Sequence, residues 1–269
     1  MRREEAVRGY MAFAHELADR AGTAVLRHFR RRLAVEDKAG GGEPYDPVTA
    51  ADRAAERAMR AAIAKAYPDH GIIGEEFGAR AGAGSLSWVL DPIDGTRAFI
   101  MGSPLWGTLI GLVEDGVPIL GVADQPFMRE RFWGVGGRAH LRGGDGKTRR
   151  LKTRPCPELA QAVLTSTHPD LFAQRGEAAA FARVKERARL TRYGGDCYGY
   201  CLLAAGFVDI VIEVGLKPYD VIPLIPVVEG AGGQITTWKG EPPLAGGRVL
   251  ATGDRRVHAQ ALALLGGSS

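Results

Sequence analysis

Two aspartates stand three positions apart in the stretch WVLDPIDGT, where an apolar run leads directly into charged residues. Asp91 and Asp94 could each be a cap or turn residue, as aspartate often is. That interpretation poorly explains a pair of like charges with a proline fixing the backbone between them. Magnesium prefers carboxylate and carbonyl oxygens, so the pair and the Ile93 carbonyl predict a metal site. Gly95 and Thr96 would then begin a helix whose free amides can bind phosphate.

Other carboxylates also lie where a strand is predicted to end or a helix to begin. Glu75 follows an apolar pair within the segment GEE, and Asp220 comes after a predicted strand and opens a helix. Asp46 and Asp52 flank Pro-Val-Thr at another helix start. Ligand sites on α/β sheets favour such positions, although a cap would explain any one of these residues taken singly.

The first half of the chain predicts helices packed on a largely antiparallel sheet. Apolar residues at helical spacing predict a long amphipathic helix over residues 3–33. A second helix is predicted over residues 50–66, ended near Pro68. Short apolar segments separated by turn residues predict strands over 71–73, 87–90, 108–113, 119–123 and 131–134.

The second half alternates strands with helices, which is typical of an α/β layer. Pro223 and Pro226 predict that its last helix is kinked or starts late. A segment rich in glycine and arginine marks the domain change, which gives predicted domains of 1–145 and 146–269. The predicted strands are 162–166, 190–193 and 208–214, and the predicted helices are 171–186, 197–205 and 221–230.

Length and composition are those of an ordinary globular protein, with 269 residues of which 45% are hydrophobic and 25% charged. The net charge of +4 does not by itself support nucleic-acid binding. No apolar run approaches the roughly 18 residues of a membrane span, and the N-terminus lacks the apolar core of a secretory signal. The three cysteines make no plausible disulfide framework, which favours a reducing cytoplasm.

Three further motifs are interpreted as structural. The segment GGDGKT lacks the first glycine of a phosphate-binding loop, because Leu141 stands there, and a hairpin turn is predicted instead. Cys197 and Cys201 share a predicted helix, but no third or fourth zinc ligand is suitably placed in the sequence. The basic segment 27–32 is interpreted as cations that offset the dipole at a helix C-terminus.

The acidic motifs together resemble the inositol monophosphatase superfamily, from about residue 10 to residue 255. The motifs that carry the resemblance are GEE at 74–76, DPIDGT at 91–96, DPVTAAD at 46–52 and Asp220 before EGAGG. The resemblance implies a layered α-β-α-β-α sandwich of the inositol monophosphatase and fructose-1,6-bisphosphatase type. It also implies magnesium dependence, with two or three ions per site, and a homodimer. The first domain would hold the metal and phosphate site, and the second would contribute Asp220 and substrate specificity.

The same resemblance assigns roles to individual residues. Asp52 and Thr96 would orient the attacking water with Glu75, and the amides of Gly95 and Thr96 would hold the phosphate. Lys38 matches the family's mobile-loop lysine approximately, since the glycines at 40–42 disturb the spacing. The implied metal ligands are Glu75, Asp91, the Ile93 carbonyl, Asp94 and Asp220.

Within the superfamily, the residues around these motifs are similar to those of the histidinol-phosphatase branch. The similar segments are DPIDGTRAFI, PLWGTLIGL, YGGDCYGYCLLAAG and GLKPYD. Asp196 and Glu213 are predicted to pair with the ammonium of histidinol phosphate. Asp196 has the alternative role of a helix cap, and Glu213 that of hydrogen bonding to polyol hydroxyls. Arg97 is either a phosphate contact or a surface charge, and Trp106 is interpreted as a core residue.

Three functions therefore stay open from the sequence. The first is a magnesium-dependent phosphatase for L-histidinol phosphate in histidine biosynthesis. The second is a phosphatase for inositol phosphate or a related sugar or nucleotide phosphate. The third is a protein of the same fold that binds a ligand without catalysing a reaction. The presence of all the implied acidic metal ligands argues against this third function. The expected partner is a small phosphorylated metabolite, with no nucleic acid and no membrane.

Overall fold

Two large β-sheets alternate with layers of helices in the computed structural model, which describes residues 2–32, 34–38 and 47–266, and β1 and β2 form a small third sheet. Asp46 and the glycines at 40–42 therefore lie outside the described residues. The elements of the first half are α1 (Arg2–Leu26), β1 (Val35–Asp37), β2 (Pro47–Thr49), α2 (Ala50–Ala66), β3 (Gly71–Gly74), β4 (Gly78–Arg80), β5 (Leu86–Asp94), α3 (Thr96–Ile100), β6 (Gly107–Glu114), β7 (Val117–Gln125), β8 (Glu130–Val135), β9 (Arg138–Arg142) and β10 (Thr148–Arg150).

The second half continues with shorter elements, several of them separated by turns. These are β11 (Val163–Ser166), α4 (Glu177–Lys185), β12 (Leu190–Tyr193), α5 (Asp196–Ala204), β13 (Ile210–Leu216), α6 (Pro218–Val221), α7 (Ile225–Gly230), β14 (Gln234–Thr237), β15 (Gly247–Thr252) and α8 (Arg255–Gly266). None of the helices in the described part of the chain is both long and apolar enough to cross a membrane.

The larger sheet has eight strands in the order β10-β9-β8-β7-β6-β5-β3-β4, and it is antiparallel except where β3 runs parallel to β5. The smaller sheet has five strands in the order β12-β11-β13-β15-β14, with β11 parallel to both of its neighbours. The meander of β6, β7 and β8 matches the antiparallel strands predicted from the sequence.

Three large hydrophobic cores lie between these sheets and helices and hold them together in layers. Helices α1 and α2 pack on one face of the larger sheet, α5 and α7 fill the space between the sheets, and α4 and α8 cover the smaller sheet. The amphipathic period of α1 explains this arrangement, because its buried residues Ala14, Leu17, Ala18, Ala21 and Val25 form one stripe. The structure thus confirms the predicted α-β-α-β-α sandwich.

Two helix predictions were wrong at their boundaries. Helix α1 ends at Leu26 and not near residue 33, and Arg30 has a left-handed φ of 58° that a continuing helix excludes. The basic segment 27–32 consequently lies beyond the helix and does not occupy its last turn. The helix predicted over 171–186 starts only at Glu177, because Gly176 adopts a φ of 84° immediately before it.

The predicted break in the helix over 221–230 is confirmed. Helix α6 ends at Val221, a single 3₁₀ turn spans Ile222–Leu224, and α7 begins at Ile225. Pro223 and Pro226 each stand at the start of a segment, where a missing N–H is tolerated.

The segment GGDGKT forms the predicted hairpin turn between β9 and β10. Gly143 donates its amide to the Lys147 carbonyl at 3.1 Å, and the two strands pair in register from His140 to Arg142. The predicted boundary between residues 145 and 146 falls inside this turn. The larger sheet continues beyond it, because β10 extends to Arg150. The division into two domains stays a prediction.

Candidate functional site

The end of strand β5 is irregular, and this irregularity sets the positions of its two aspartates. Asp91 pairs with Leu109 and Asp94 pairs with Gly107, so two residues of β5 oppose a single residue of β6. Such a bulge redirects side chains without ending the strand, and it tolerates Pro92, which has no amide to donate. The strand was predicted to stop at residue 90, but pairing continues to Asp94 and carries the DPID segment into the sheet.

The bulge is fixed by hydrogen bonds from buried groups. Thr108, which stands opposite it and is fully buried, donates its hydroxyl to the Pro92 carbonyl at 2.8 Å. The Ile93 amide donates to Asp91 Oδ1 at 3.0 Å, which holds that carboxylate in one orientation. The predicted metal ligands of this segment therefore occupy a rigid part of the molecule.

Three carboxylates from both halves of the chain converge at this point. Asp91, Asp94 and Asp220 each offer one oxygen, and these oxygens lie within 4.8 Å of one another. Asp220 is the third residue of α6, and its Oδ2 accepts the Lys217 amide at 2.7 Å. The fold thus joins residues that are more than a hundred positions apart in sequence.

The electrostatics of this acidic cluster, defined as Asp91, Asp94 and Asp220, fit a cation. Burial raises the pKa of Asp91 and Asp220 well above the usual range, and the neighbouring carboxylates raise both further. Burial also raises the pKa of Asp94, while the Cys197 amide acts in the opposite direction. Like charges this close are compensated either by protons or by a metal ion, and an all-oxygen donor set suits a hard divalent cation.

Glu75 lies beside the cluster but is engaged by a lysine. Its amide donates to the Leu90 carbonyl at 3.2 Å, and its Oε1 accepts Lys38 Nζ at 2.8 Å. The same ammonium lies 3.0 Å from Glu76. Burial raises the pKa of Glu75 to about 7, although Lys38 acts in the opposite direction. Glu75 is therefore placed near Asp91, but the set of mutually close oxygens does not include it.

Glu56 supports the GEE turn and was not singled out from the sequence. It is fully buried on α2, where its carboxylate accepts the amides of Glu76 at 2.7 Å and Phe77 at 3.2 Å. Arg60, one turn further along the helix, lies 2.7 Å from the same carboxylate. An acidic residue on the buried face of a predicted helix is the only sequence signal that could have indicated this role.

Asp52 and Thr96 were predicted to act as a pair, and each has a different hydrogen-bond partner. Asp52 Oδ2 accepts both the amide and the hydroxyl of Thr49, at 2.9 and 2.6 Å, as part of a capping box on α2. Its Oδ1 is buried and has no partner within the described residues. The Thr96 hydroxyl donates to the Ile93 carbonyl at 3.0 Å. The joint role of Asp52 and Thr96 stays a prediction.

Gly95 makes the turn that leads from the cluster into α3. Its φ of 83° is open to glycine and strained for other residues. A Cβ at this position would lie 3.1 Å from the Cβ of Asp196, so glycine also permits the close approach of α5. Thr96 is the first residue of α3 and Arg97 follows it as an exposed cation.

Asp196 opens α5 with an unusual backbone and does not cap that helix. Its φ is 43°, a left-handed value that aspartate tolerates better than most residues. The N-cap is Gly195, and no side-chain cap hydrogen bond is formed within the described residues. Burial raises the pKa of Asp196 to about 7, and Asp94 raises it while Arg97 lowers it. The alternative role of a capping residue is therefore wrong for this side chain.

Glu213 lies on β13 with one carboxylate oxygen engaged and the other free. Its Oε1 accepts the Thr167 amide at 2.8 Å and the Thr167 hydroxyl at 3.1 Å. Its Oε2 is buried without a partner in the described part of the chain. Burial raises the pKa of Glu213 to about 8, and Asp196 and Asp94 raise it further. Glu213 thus lies close enough to Asp196 and Asp94 for their charges to act on it.

Trp106 belongs to the core, as predicted. It is fully buried and its ring packs against Phe29 at 5.2 Å and Phe99 at 5.0 Å between ring centroids. This contact excludes it from stacking on a ligand. The aromatic cluster instead anchors α3 behind the Gly95 turn.

Comparison with known proteins agrees with the fold. The model of the inositol monophosphatase family matches residues 7–267. Bifunctional phosphatase IMPL2, chloroplastic, of Arabidopsis thaliana is 45% identical over 264 residues, which cover 94% of this chain and 74% of that protein. A histidinol-phosphatase of Mycobacterium tuberculosis is 36% identical, covering 90% of this chain and 92% of the relative.

A solved structure gives the same result for the fold. The inositol monophosphatase from Zymomonas mobilis is 43% identical, with a TM-score of 0.83 and coverage of 97% of this chain and 98% of that one. These relatives are phosphatases, and the family is metal-dependent, which agrees with the oxygen donors of the acidic cluster. A family match that runs through both sheets and every motif of the site shows that the chain belongs to the inositol monophosphatase family.

Proposed function

We propose that this phosphatase hydrolyses L-histidinol phosphate to L-histidinol and phosphate, with magnesium as its metal. The observation that carries the substrate assignment is a second pair of acids near the acidic cluster, the half-buried Asp196 and the buried Glu213. The polyol part of inositol phosphate is uncharged and needs partners for its hydroxyls, whereas histidinol phosphate brings an ammonium that two carboxylates can pair with. The histidinol-phosphatase relatives from Mycobacterium tuberculosis and Chlorobaculum parvum support the same substrate.

The metal would be held by Asp91, Asp94 and Asp220, with Glu75 and the Ile93 carbonyl completing the predicted ligand set. Bound there, magnesium would supply a water of lowered pKa and positive charge beside the phosphate oxygens. Glu75 would have to leave Lys38 to join the set, since its Oε1 is hydrogen-bonded to that ammonium.

The remaining residues would hold the substrate and manage the proton. The Gly95 and Thr96 amides lie at the start of α3, where free N–H groups can hold phosphate oxygens. Arg97, which is exposed, would add a cation on the solvent side of that turn. Glu75 would accept the proton of the attacking water, and Thr96 and Asp52 would orient that water. No serine or cysteine nucleophile is required.

Binding of the ammonium would change the protonation of the acidic pair. The pKa values of Asp196 and Glu213, about 7 and about 8, leave both groups partly protonated near neutral pH. A cation between them favours the charged forms, so substrate binding would release protons. Proton release on binding of histidinol phosphate is therefore expected in a weakly buffered solution.

The first experiment compares phosphate release from L-histidinol phosphate and inositol 1-phosphate with magnesium present. We expect a strong preference for histidinol phosphate. In Asp196→Asn we expect kcat/KM for that substrate to fall by roughly 10- to 100-fold, because a charge-assisted contact is lost. The same variant should change little for inositol 1-phosphate.

Asp170→Asn is the matched control, since Asp170 is an exposed acid of the same half of the chain. Its kcat/KM should match the wild type for both substrates. Equal loss for both substrates in Asp196→Asn would contradict the ammonium assignment. Lack of metal-dependent hydrolysis of any phosphomonoester would instead favour the binding protein without turnover.

A second candidate is an inositol monophosphatase. The free Oε2 of Glu213 could accept a hydroxyl of a polyol as well as an ammonium, and the solved relative from Zymomonas mobilis is described as an inositol monophosphatase. A preference for inositol 1-phosphate in the same assay would select this candidate. The homodimer and the cytoplasmic location stay predictions.

A further inference from the structure

The tyrosine that follows Cys197 links α5 to the larger sheet. Tyr198 donates its hydroxyl to Glu130 Oε2 at 2.5 Å, and Glu130 is the first residue of β8. Its ring also meets Phe132 edge-on, with the centroids 5.9 Å apart. Burial raises the pKa of Tyr198 and the Glu130 carboxylate raises it further, so the hydroxyl keeps its proton and stays a donor.

The neighbouring residue makes the contact that matters for the acidic cluster. The Cys197 amide donates to Asp94 Oδ2 at 2.7 Å, from the first turn of α5. Free amides at a helix N-terminus stabilise a carboxylate, and they do so only when the helix start is correctly placed. Adjacent residues of α5 thus contact β5 and β8 at the same time.

The rest of α5 does not depend on this hydrogen bond. Cys201, Leu203 and Ala204 are buried between the sheets and hold the helix body in the core. A phenylalanine at position 198 would also keep the ring contact with Phe132. Loss of the hydroxyl should therefore loosen the first turn of α5 while leaving the helix folded.

We propose that Tyr198 is a positioning residue for the metal site: its hydrogen bond to Glu130 fixes the first turn of α5, so that the Cys197 amide orients Asp94 toward the ion. This inference rests on the proposed function, because it requires Asp94 to be a metal ligand. Groups that orient metal ligands from behind are commonly needed for full metal affinity.

The test is metal binding to the intact protein without substrate. Free Mn²⁺ is measured by electron paramagnetic resonance during titration, and Mg²⁺ is then added as a competitor. We expect Tyr198→Phe to weaken Mn²⁺ binding by about fivefold, the effect of one ordinary hydrogen bond. At saturating metal its kcat should stay within about twofold of the wild type, because the ligands themselves are unchanged.

Tyr193→Phe is the matched control, because its buried hydroxyl has no partner within the described residues. It should bind Mn²⁺ like the wild type. Glu130→Gln keeps a side-chain acceptor and should bind almost as tightly as the wild type, whereas Glu130→Ala should match Tyr198→Phe. The double variant Tyr198→Phe with Glu130→Ala should be no weaker than either single variant.

Two results would overturn the inference: wild-type Mn²⁺ affinity in Tyr198→Phe, or additive losses in the double variant. Both are distinct from failure of the proposed function. If the wild type itself does not bind Mn²⁺, the metal site is wrong. If the wild type binds Mn²⁺ and Tyr198→Phe binds it equally well, only the role of Tyr198 is wrong.

Discussion

The acidic cluster and the pair formed by Asp196 and Glu213 use the same chemical groups in opposite ways. Each carboxylate of the cluster accepts a backbone amide close to it in space: Asp91 from Ile93, Asp94 from Cys197 and Asp220 from Lys217. These bonds fix all three oxygens within 4.8 Å of one another. The cluster is therefore organised before any ligand arrives.

The pair is only half organised. Glu213 is held by Thr167 through one oxygen, and its other oxygen is buried without a partner in the described part of the chain. A buried acceptor without a partner is unfavourable unless a ligand or a proton completes it. The comparison indicates that the cluster is built for one fixed chemistry, and that the pair leaves an acceptor for the group that distinguishes substrates.

The largest expected effect is on the cluster. Asp91→Asn removes one charged ligand of the metal. Because a bound metal stabilises charge in the transition state by several kcal/mol, we expect turnover to fall by roughly a thousandfold or more. The loss should be equal for L-histidinol phosphate and inositol 1-phosphate, unlike the selective loss in Asp196→Asn. Phosphate-release assays with both substrates check this. Unchanged activity would contradict the metal assignment of Asp91.

The same variant should not destabilise the metal-free protein. Burial and the neighbouring carboxylates raise the pKa of Asp91, so a neutral amide relieves repulsion that the native residue experiences. Thermal unfolding with a chelator present should give a melting temperature at or above that of the wild type. A lower melting temperature would mean that the activity loss in Asp91→Asn partly reflects misfolding.

The cluster was predictable from the sequence because most of it lies in short motifs. The apolar run before Asp91, the proline between the two aspartates and the glycine after them are local signals, and the strands and α2 follow from local periodicity. Asp220 and Asp196 are isolated in sequence. They join the site only through the resemblance or through the fold, which brings together residues separated by more than a hundred positions.

Contacts between distant segments account for what the sequence did not show. Nothing near position 94 indicates that the Cys197 amide will meet it, and nothing near position 130 indicates that Tyr198 will donate to its carboxylate. Helix ends were also misplaced, because Arg30 and Gly176 adopt left-handed conformations that apolar periodicity does not register. Local pattern predicts elements, whereas packing decides their ends and their partners.

An intermediate effect on stability and metal binding is expected at Gly107, which pairs with Asp94 and faces Cys197 of α5. A Cβ at Gly107 would lie 2.9 Å from Cys197 Sγ and 3.3 Å from the Asp124 carbonyl. Since Cys197 is buried, we expect Gly107→Ala to destabilise the protein by about 1–3 kcal/mol, as overpacking commonly does. Denaturant unfolding measures the loss, and Mn²⁺ titration should show weaker binding because α5 is displaced from Asp94.

The clash can be relieved without touching the amide that meets Asp94. Cys197→Ala removes the sulfur and keeps the backbone N–H, so Gly107→Ala combined with Cys197→Ala should recover much of the Mn²⁺ affinity. Gly9→Ala is the control, because a Cβ there meets nothing within 4 Å. It should stabilise α1 by roughly 0.5–1 kcal/mol. Failure of the combined variant to recover any Mn²⁺ affinity would contradict the proposed displacement of α5.

The smallest effect concerns a titratable group that is remote from both regions and whose pKa shift is opposite in sign to those of the site carboxylates. His258 is buried in the outer layer of the smaller sheet, with its ring nitrogens 3.0 Å from the hydroxyls of Thr236 and Thr252. Burial lowers the pKa of His258 to about 4 from the usual 6.5. The unfolded chain therefore binds a proton between these pH values that the folded protein does not.

The free energy of unfolding therefore decreases with falling pH: the stability contributed by His258 is fully present above pH 6.5 and is lost as the pH falls toward 4. At pH 5.5 the loss is about 1.4 kcal/mol, one pH unit below the unfolded pKa. His258→Gln should remove this part of the pH dependence when denaturant unfolding is compared at pH 7.5 and 5.5. His15, whose pKa burial also lowers to about 4, lies on α1 against Trp133 of the larger sheet, and its effect should add. A wild-type slope in His258→Gln would show that His258 does not supply it. The site carboxylates cannot supply it either, because their raised pKa values make the folded protein bind protons as the pH falls, which adds stability.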